Sequence, residues 1–458
     1  MTAIRSFGEL KSLGGVYMLG IGGIGMSALA RFLRKHGLTV RGYDRTQTPL
    51  TAELQNEGIK IDFDFDSVDY STAQLLIYTP ALKRNWPVFA MADERKIPVM
   101  KRAEILGLIS REYKTIAIAG THGKTTTSAL TTHLLRSSGI ALTAFVGGIM
   151  KNYNSNFVFG ESEWMLCEAD EFDRSFLQLN PDVAVITAVD SDHLDIYGTG
   201  ADMLESYSRF ASCIKPGGRL LVESRLQSFA QGLAQNALFY GLEAGNFMSC
   251  RLRQSGLHAE FDYVADNETF KSFTMTFPGR HNVINATAAI AVARYLGASE
   301  SGIRKGLNSF LGIKRRFDVR FSSENLIHID DYAHHPEEIR ALLVAVREMF
   351  PGRKILVIFQ PHLYSRTRDF TDGFAETLSL ADALILLEIY PAREEPVAGV
   401  SSRMVFDLVK TRKKELTGKE GLMAALRKFK MKEGVVLTVG AGDIDTKVED
   451  VAEEVAAW

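Results

Sequence analysis

The sequence predicts an α/β protein of three domains, each organised on a largely parallel sheet. Three observations predict it. At 458 residues the chain exceeds what one hydrophobic core organises, since cores stop growing near ~250–300 residues and longer chains divide. Short apolar strands alternate with amphipathic helices, the rhythm of parallel α/β structure, and that rhythm restarts twice. Two glycine-rich turns stand between a strand and a helix, where open α/β sheets bind ligands.

In order, the first cycle runs through the strand GVYMLGI, a helix through MSALARFLRKH, and the strands TVRGYD and AQLLIYT. It predicts a Rossmann-like domain over residues 1–107. The strand TIAIAG opens the second cycle, followed by a phosphate loop, a helix from Thr125 to Ser137 and the strands EWMLCEA and DVAVITA. Several short alternating strands between about Asn236 and Phe277 predict a small antiparallel appendage, and two helices run from His281 to Phe310. This central domain, of the P-loop mononucleotide-binding type, covers 108–312. After GIKRRF the rhythm restarts with LIHIDD, a helix from Pro336, KILVIFQ, a helix around Phe370, ALILLEI and GVVLTVG. These predict a second Rossmann-like domain over 313–458.

A composition of 46% apolar and 24% charged residues is that of a globular protein, and a formal net charge of −2 offers no basic field for nucleic acid. Cys167, Cys213 and Cys250 are far apart and form no CxxC or Cys/His cluster, so reduced thiols are expected. The start MTAIRSFGEL lacks the apolar core of a signal peptide, and no run approaches the ~20 apolar residues of a membrane span. A cytoplasmic protein without membrane partners is expected.

The first motif is Gly20-Ile-Gly22-Gly23-Ile-Gly25, with Asp44 at the end of the next strand. Glycines there let backbone N–H groups approach a pyrophosphate at a helix N-terminus, and the carboxylate can accept from a ribose hydroxyl. Alone, the motif reads as an NAD(P)-dependent oxidoreductase, or as glycines that serve packing. A UDP-linked substrate presents the same pyrophosphate and ribose. The second motif, Gly120-Thr121-His122-Gly123-Lys124-Thr125-Thr126-Thr127, follows a strand and opens a helix. Its amides can wrap the phosphates of ATP, Lys124 can neutralise β/γ charge, and the Thr125 hydroxyl can ligate Mg²⁺. It departs from GxxxxGK[ST] in carrying Ile118 where that pattern has glycine.

The acidic run Cys167-Glu168-Ala169-Asp170-Glu171-Phe172-Asp173 and the run Asp192-His193-Leu194-Asp195 each lie past a strand end. Mg²⁺ prefers oxygen ligands, which makes Glu168 a candidate, and His193 could serve a second metal or its water shell. A single carboxylate in such a place is usually a solvated loop charge; two clusters beside a phosphate loop favour the metal. Asp331 and His334, past LIHIDD, suit orienting an amine and managing its proton, with loop capping as the alternative. A zinc pair at His334-His335 is disfavoured, because adjacent loop histidines seldom share one ion.

Read together, LGIGGIGMSALA, GTHGKTTT, EADEFDRSFL, DDYAHHP, FQPHLYSRT and IYPAREEP resemble the Mur ligases over essentially the whole chain. The resemblance implies an N-terminal UDP-binding domain, a central ATP-binding domain and a C-terminal Rossmann-like domain. The motif set is most similar to the branch that joins L-alanine to UDP-N-acetylmuramate, with the branch that recycles the murein tripeptide as the nearest rival. It implies Lys124 on the β/γ-phosphates, Thr125 and Glu168 on Mg²⁺, and His193 on a second Mg²⁺. It further implies His281 and Asn285 on the adenine side, Arg316 near the transferred phosphate, and His334 and Arg366 facing the amino acid. Some relatives carry arginine where Leu363 stands, which would leave the alanine carboxylate with one cationic partner fewer. Other branches carry a carbamylated lysine on the helix after the DH motif, whereas ADMLESYSRFASCI here has none and Lys215 follows it. A monomer or a homodimer is expected.

Overall fold

The computed structural model describes residues 4–65, 68, 70–79, 82, 85–189, 199–230, 237–242, 248–254, 258–265, 268–277, 279–392 and 394–458. The first sheet comprises β1 (Gly15–Leu19), β2 (Thr39–Tyr43), β3 (Lys60–Asp62), β4 (Leu75–Tyr78) and β5 (Val99–Lys101). Its order is β3-β2-β1-β4-β5 and every pair is parallel. The order reverses at β1, and the glycine turn leaves β1 at its C-terminal end, where a doubly wound sheet opens a crevice. β1 is buried along its whole length, which is why GVYML reads as an unbroken apolar run rather than an alternating one.

The second sheet holds β6 (Lys114–Ala119), β7 (Thr143–Met150), β8 (Ser155–Val158), β9 (Trp164–Ala169), β10 (Val183–Ile186), β11 (Arg219–Glu223), β12 (Ala237–Gly241), β13 (Met248–Gln254), β14 (Ala259–Ala265) and β15 (Glu268–Met275). Its order is β15-β14-β13-β12-β11-β10-β6-β9-β7-β8. β6 therefore lies between β9 and β10, parallel to both, and whatever follows those two strands flanks the turn after β6. The strands expected as an antiparallel appendage are β12 to β15; they extend the central sheet instead, with β12 parallel to β11 and β13 parallel to β12.

The third sheet runs β16-β17-β21-β18-β19-β20, from β16 (Asp318–Ser322), β17 (Leu326–Asp331), β18 (Ile355–Phe359), β19 (Ala383–Leu387), β20 (Lys413–Thr417) and β21 (Gly434–Val439). Only β16 runs antiparallel to its neighbour. The chain forms two compact units. One contains Met1–Arg253, Glu260–Thr276 and His281–Leu311, and the other contains Gln254–Ala259, Phe277–Arg280 and Gly312–Trp458.

In the first unit, the helix Ile24–Lys35 joins the first two sheets. Its apolar positions Met26, Leu29, Phe32 and Leu33 recur at helical spacing and are buried. The Phe32 ring lies 5.3 Å from Phe145 of β7 and 6.4 Å from Phe157 of β8. A buried phenylalanine of this kind is worth about 3–5 kcal/mol over alanine. Arg31 is buried on the same helix, where its guanidinium meets Glu53 at 3.1 Å, Glu57 at 2.8 Å and Asn156 of β8 at 2.5 Å. All three cysteines are free thiols. No helix among the described residues is long and apolar enough to cross a membrane.

Candidate active site

The glycine turn after β1 is shaped by its own carboxylate. Gly20 sits at φ +76°, a conformation only glycine adopts without cost. The Gly22 N–H donates to Asp44 Oδ2 at 2.8 Å, and the Thr46 N–H donates to Oδ1 at 3.1 Å. Asp44, read from sequence as a ribose partner, thus also braces the turn. A Cβ on Gly22 would stand 2.8 Å from that carboxylate and 2.7 Å from Thr51 Cγ2. Gly23 caps the helix Ile24–Lys35 with no side-chain bond, so its first-turn N–H groups keep the positive end of the helix for an anion. Gly25 faces the Arg102 guanidinium, which a Cβ would approach to 3.1 Å.

The turn after β6 is held from β10. The Thr187 N–H donates to Ala119 O at 3.0 Å, the Thr121 N–H to Ala188 O at 3.0 Å, and the Thr187 hydroxyl to the carbonyls of Ala119 and His122. Gly120 (φ +137°) and Gly123 (φ +83°) take conformations that other residues rarely adopt, and a Cβ on Gly120 would overlap Thr187. Gly123 opens the helix Lys124–Ser137, again without a side-chain cap, and Thr125 and Thr126 are buried in its first turn. Asn285, on the helix Arg280–Tyr295, places Oδ1 2.7 Å from where a Gly123 Cβ would stand, so it lines the loop. Its Nδ2 donates weakly to Asn282 Oδ1 at 3.4 Å, and His281 is exposed in the first turn of that helix.

The acidic segment after β9 distributes its carboxylates among different partners. Glu168 Oε2 accepts the Thr125 hydroxyl at 3.2 Å, and Oε1 accepts the Gly147 N–H. A Cβ on Gly147 would come within 2.5 Å of that carboxylate and displace it. Asp170 pairs with Arg102 at 3.4 Å, and Asp173 pairs with Lys101 at 2.6 Å. Glu171, buried, takes the Lys124 ammonium on both oxygens, at 2.8 and 2.7 Å. Burial opposes the charge on Lys124, but Glu171, Asp170 and Glu168 outweigh it and raise the lysine above its ordinary pKa. Asp173 and Arg174 both lie at positive φ, a strained turn from which Asp173 reaches Lys101 and Arg174 Nε lies 3.4 Å from Ser206 Oγ. Arg102 stands beside Gly25 and pairs with Asp170, so the glycine turn and the acidic segment are neighbours.

Sequence reasoning gave no role to Glu171, Thr187, Arg102 or Lys101. The first was one of several equivalent carboxylates, and the others carry no motif. His193, with Asp192 and Asp195, lies outside the described residues. Thr125 and Glu168 offer hard oxygen donors side by side, a donor set that fits Mg²⁺, an ion that keeps several waters and needs few protein ligands. The helix after the DH motif is Gly200–Ser212, and Lys215 beyond it gives its ammonium to Asp182 at 2.8 Å and Tyr113 O at 2.9 Å. Activity is therefore expected to be insensitive to added bicarbonate from mildly acidic to neutral pH; a bicarbonate-dependent recovery would show that a carbamylated lysine serves the metal.

In the second unit, β17 ends at Asp331. This carboxylate accepts the N–H groups of Phe317 at 2.7 Å and Ala333 at 2.8 Å, so it holds the turn that presents His334. Burial raises its pKa, against the pull of Arg316. His334 Nδ1 lies 2.9 Å from Tyr332 O; as donor to that carbonyl it leaves Nε2 as the acceptor. Burial depresses the His334 pKa, although Glu338 at 3.4 Å opposes the shift. The His362 ring packs 6.0 Å from it, edge-on. Arg366 is half-buried on the helix Tyr364–Asp369; its carbonyl accepts the Phe370 N–H at 3.1 Å, and its guanidinium makes no hydrogen bond or ion pair among the described residues. Arg316 lies over the Tyr332 ring at 5.2 Å, and Leu363 is buried at φ +70°. His335 caps the helix Pro336–Met349, its ring accepting the Glu337 N–H at 3.4 Å.

Three family models match the chain in succession: "Mur ligase family, catalytic domain" over residues 15–114, "Mur ligase middle domain" over 118–293 and "Mur ligase, glutamate ligase domain" over 315–442. The UDP-N-acetylmuramate–L-alanine ligase of Flavobacterium johnsoniae is 42% identical over 97% of this chain and 98% of its own length. That of Porphyromonas gingivalis is 42% identical over 96% and 98%. Among solved structures, the UDP-N-acetylmuramate–alanine ligase of Thermotoga maritima matches with a TM-score of 0.81 and 29% identity over 97% of this chain and 99% of that one. A murein peptide ligase from Psychrobacter arcticus, 20% identical over 97% and 98%, shares the fold with a TM-score of 0.71. With its two loops, its acidic segment and its three sheets in that family's order, this chain belongs to the Mur ligase family.

Proposed function

We propose that the protein ligates L-alanine to the lactyl carboxylate of UDP-N-acetylmuramate, with ATP converted to ADP and phosphate, in the cytoplasmic synthesis of peptidoglycan precursors. The observation that carries the reading is the phosphate loop whose Thr125 hydroxyl meets Glu168 and whose Lys124 meets Glu171, in an acidic segment that Arg102 ties to the glycine turn after β1. That arrangement sits in a chain 42% identical to such a ligase over nearly its full length. Residues 1–107 form the UDP-substrate domain, 108–312 the ATP domain and 313–458 the amino-acid domain, acting as a monomer or homodimer.

A carboxylate is a poor electrophile, so its oxygen first takes the γ-phosphoryl group, giving an acyl phosphate and ADP. The amine of alanine then attacks the acyl carbon, phosphate leaves, and an amide remains. The loop contributes positioning and charge: amides of 120–126 cradle the phosphates, Lys124 neutralises them, and His281 and Asn285 flank the base. Thr125, Glu168 and His193 would hold Mg²⁺, which supplies charge neutralisation on the phosphoryl oxygens. Gly20, Gly22, Gly23 and Gly25 receive the UDP pyrophosphate, with Asp44 at the ribose and Arg316 assigned to the transferred phosphate. Arg366 takes the alanine carboxylate, and His334, aimed by Asp331 and its turn, accepts the amine proton at Nε2.

The test is ADP release with UDP-N-acetylmuramate and L-alanine, glycine, L-serine or the murein tripeptide in parallel. Strong release with alanine is expected; preference for the tripeptide would reassign the acceptor, and release with none would sink the ligase. His334→Gln should lower turnover by about 10²-fold or more, the scale of one general base. Because burial lowers the His334 pKa, the neutral form persists to lower pH than an ordinary histidine allows. The acid limb of kcat/KM for alanine should lie correspondingly low and vanish in the variant; an unchanged limb would remove His334 from the role.

A further inference from the structure

We infer that Glu171 is a positioning residue of the phosphate loop: its carboxylate clamps the Lys124 ammonium ahead of nucleotide binding, competes with the nucleotide phosphates for it, and so speeds ADP release. The inference rests on the nucleotide reading of this loop and adds a residue that the reading leaves without a task.

A lysine ammonium has three N–H donors. Here Glu171 Oε1 and Oε2 take it at 2.8 and 2.7 Å, and the Gly120 carbonyl stands within hydrogen-bond distance as well. Gly120 O belongs to a backbone locked by Thr187, whereas the Glu171 carboxylate ends a side chain. A phosphate oxygen that reaches for Lys124 must therefore displace or share with Glu171. The carboxylate is only 2% exposed. Buried carboxylates are costly when their counter-charge is withdrawn. Glu171 thus pulls Lys124 back as soon as the phosphates loosen. Its service and its cost are the same interaction: the ammonium is held at the loop mouth, and every anion that binds there meets a fixed negative charge.

The test uses the full-length protein, titrated calorimetrically with ADP and with ATP in the absence of Mg²⁺, alongside steady-state kinetics. Glu171→Gln keeps the shape and one acceptor oxygen but removes the charge. ADP is expected to bind about tenfold more tightly, from the lost repulsion, with KM for ATP and kcat both falling as ADP release slows. Glu171→Asp retains the charge and should keep the wild-type ADP affinity. A merely structural glutamate predicts the opposite sign, since a loosened loop binds nucleotide less well. Unchanged or weaker ADP binding in Glu171→Gln, while Lys124→Ala loses ADP, would overturn this inference alone. ADP binding unaffected by Lys124→Ala would overturn the nucleotide reading and this inference with it.

Discussion

Lys124→Ala is expected to cut turnover by about 10²–10³-fold, the effect of removing one preorganised charge worth ~3–4 kcal/mol to the transition state. From the loop motif alone nothing more would follow. The structure adds that the protein should also melt at a lower temperature, because the substitution withdraws the ammonium that faces buried Glu171 at 2.7 Å. Breaking one side of a buried pair costs about 3–5 kcal/mol, more than most surface changes. Combining Lys124→Ala with Glu171→Gln should recover much of the melting temperature without recovering turnover. Binding of the UDP substrate should survive in both, since its loop follows β1. Differential scanning and ADP-release assays separate the two effects. Near-wild-type turnover in the single variant would contradict the phosphate-loop assignment, and an unchanged melting temperature would show that the pair contributes little to stability.

Gly22→Val should weaken affinity for the UDP substrate while leaving ATP binding nearly intact. The sequence argument is that a side chain crowds the pyrophosphate. The structure makes the damage more local. A Cβ would press to 2.8 Å on Asp44 and 2.7 Å on Thr51, and it would strain the N–H bond from Gly22 that braces the turn. Overpacking costs about 1–3 kcal/mol, or roughly 5- to 150-fold in affinity if it falls on the bound state. The apparent KM for UDP-N-acetylmuramate should rise accordingly. Selective loss of ATP binding instead would mean that the two nucleotide sites are interchanged.

Much of the fold was legible because its signals are local. Strand, glycine turn and helix are contiguous around Gly20–Lys35 and Gly120–Ser137, so backbone need and apolar period sit side by side in the chain. The same holds for GVVLTV, buried along its whole length and apolar at every position but Thr438. The edge strands β16, DVRFS, and β20, KKELT, went unread. An edge strand exposes one side and is kept polar and charged against unwanted pairing, which erases the apolar signal.

By itself, then, the sequence determined three α/β cycles, the position of each loop at a strand end, and the residue types that handle phosphate and an amine. Only the tertiary structure decided which strands are neighbours. That order puts β6 between β9 and β10 and sets Glu168 and Thr187 on opposite sides of one loop. It also decided which carboxylate meets which cation. Glu168, Asp170, Glu171 and Asp173 are chemically alike and lie within six residues, yet they pair with Thr125, Arg102, Lys124 and Lys101. Pairings across 43 to 72 positions of chain depend on sheet order and on the strained turn at Asp173 and Arg174. Neither leaves a periodic trace in the residues that make it.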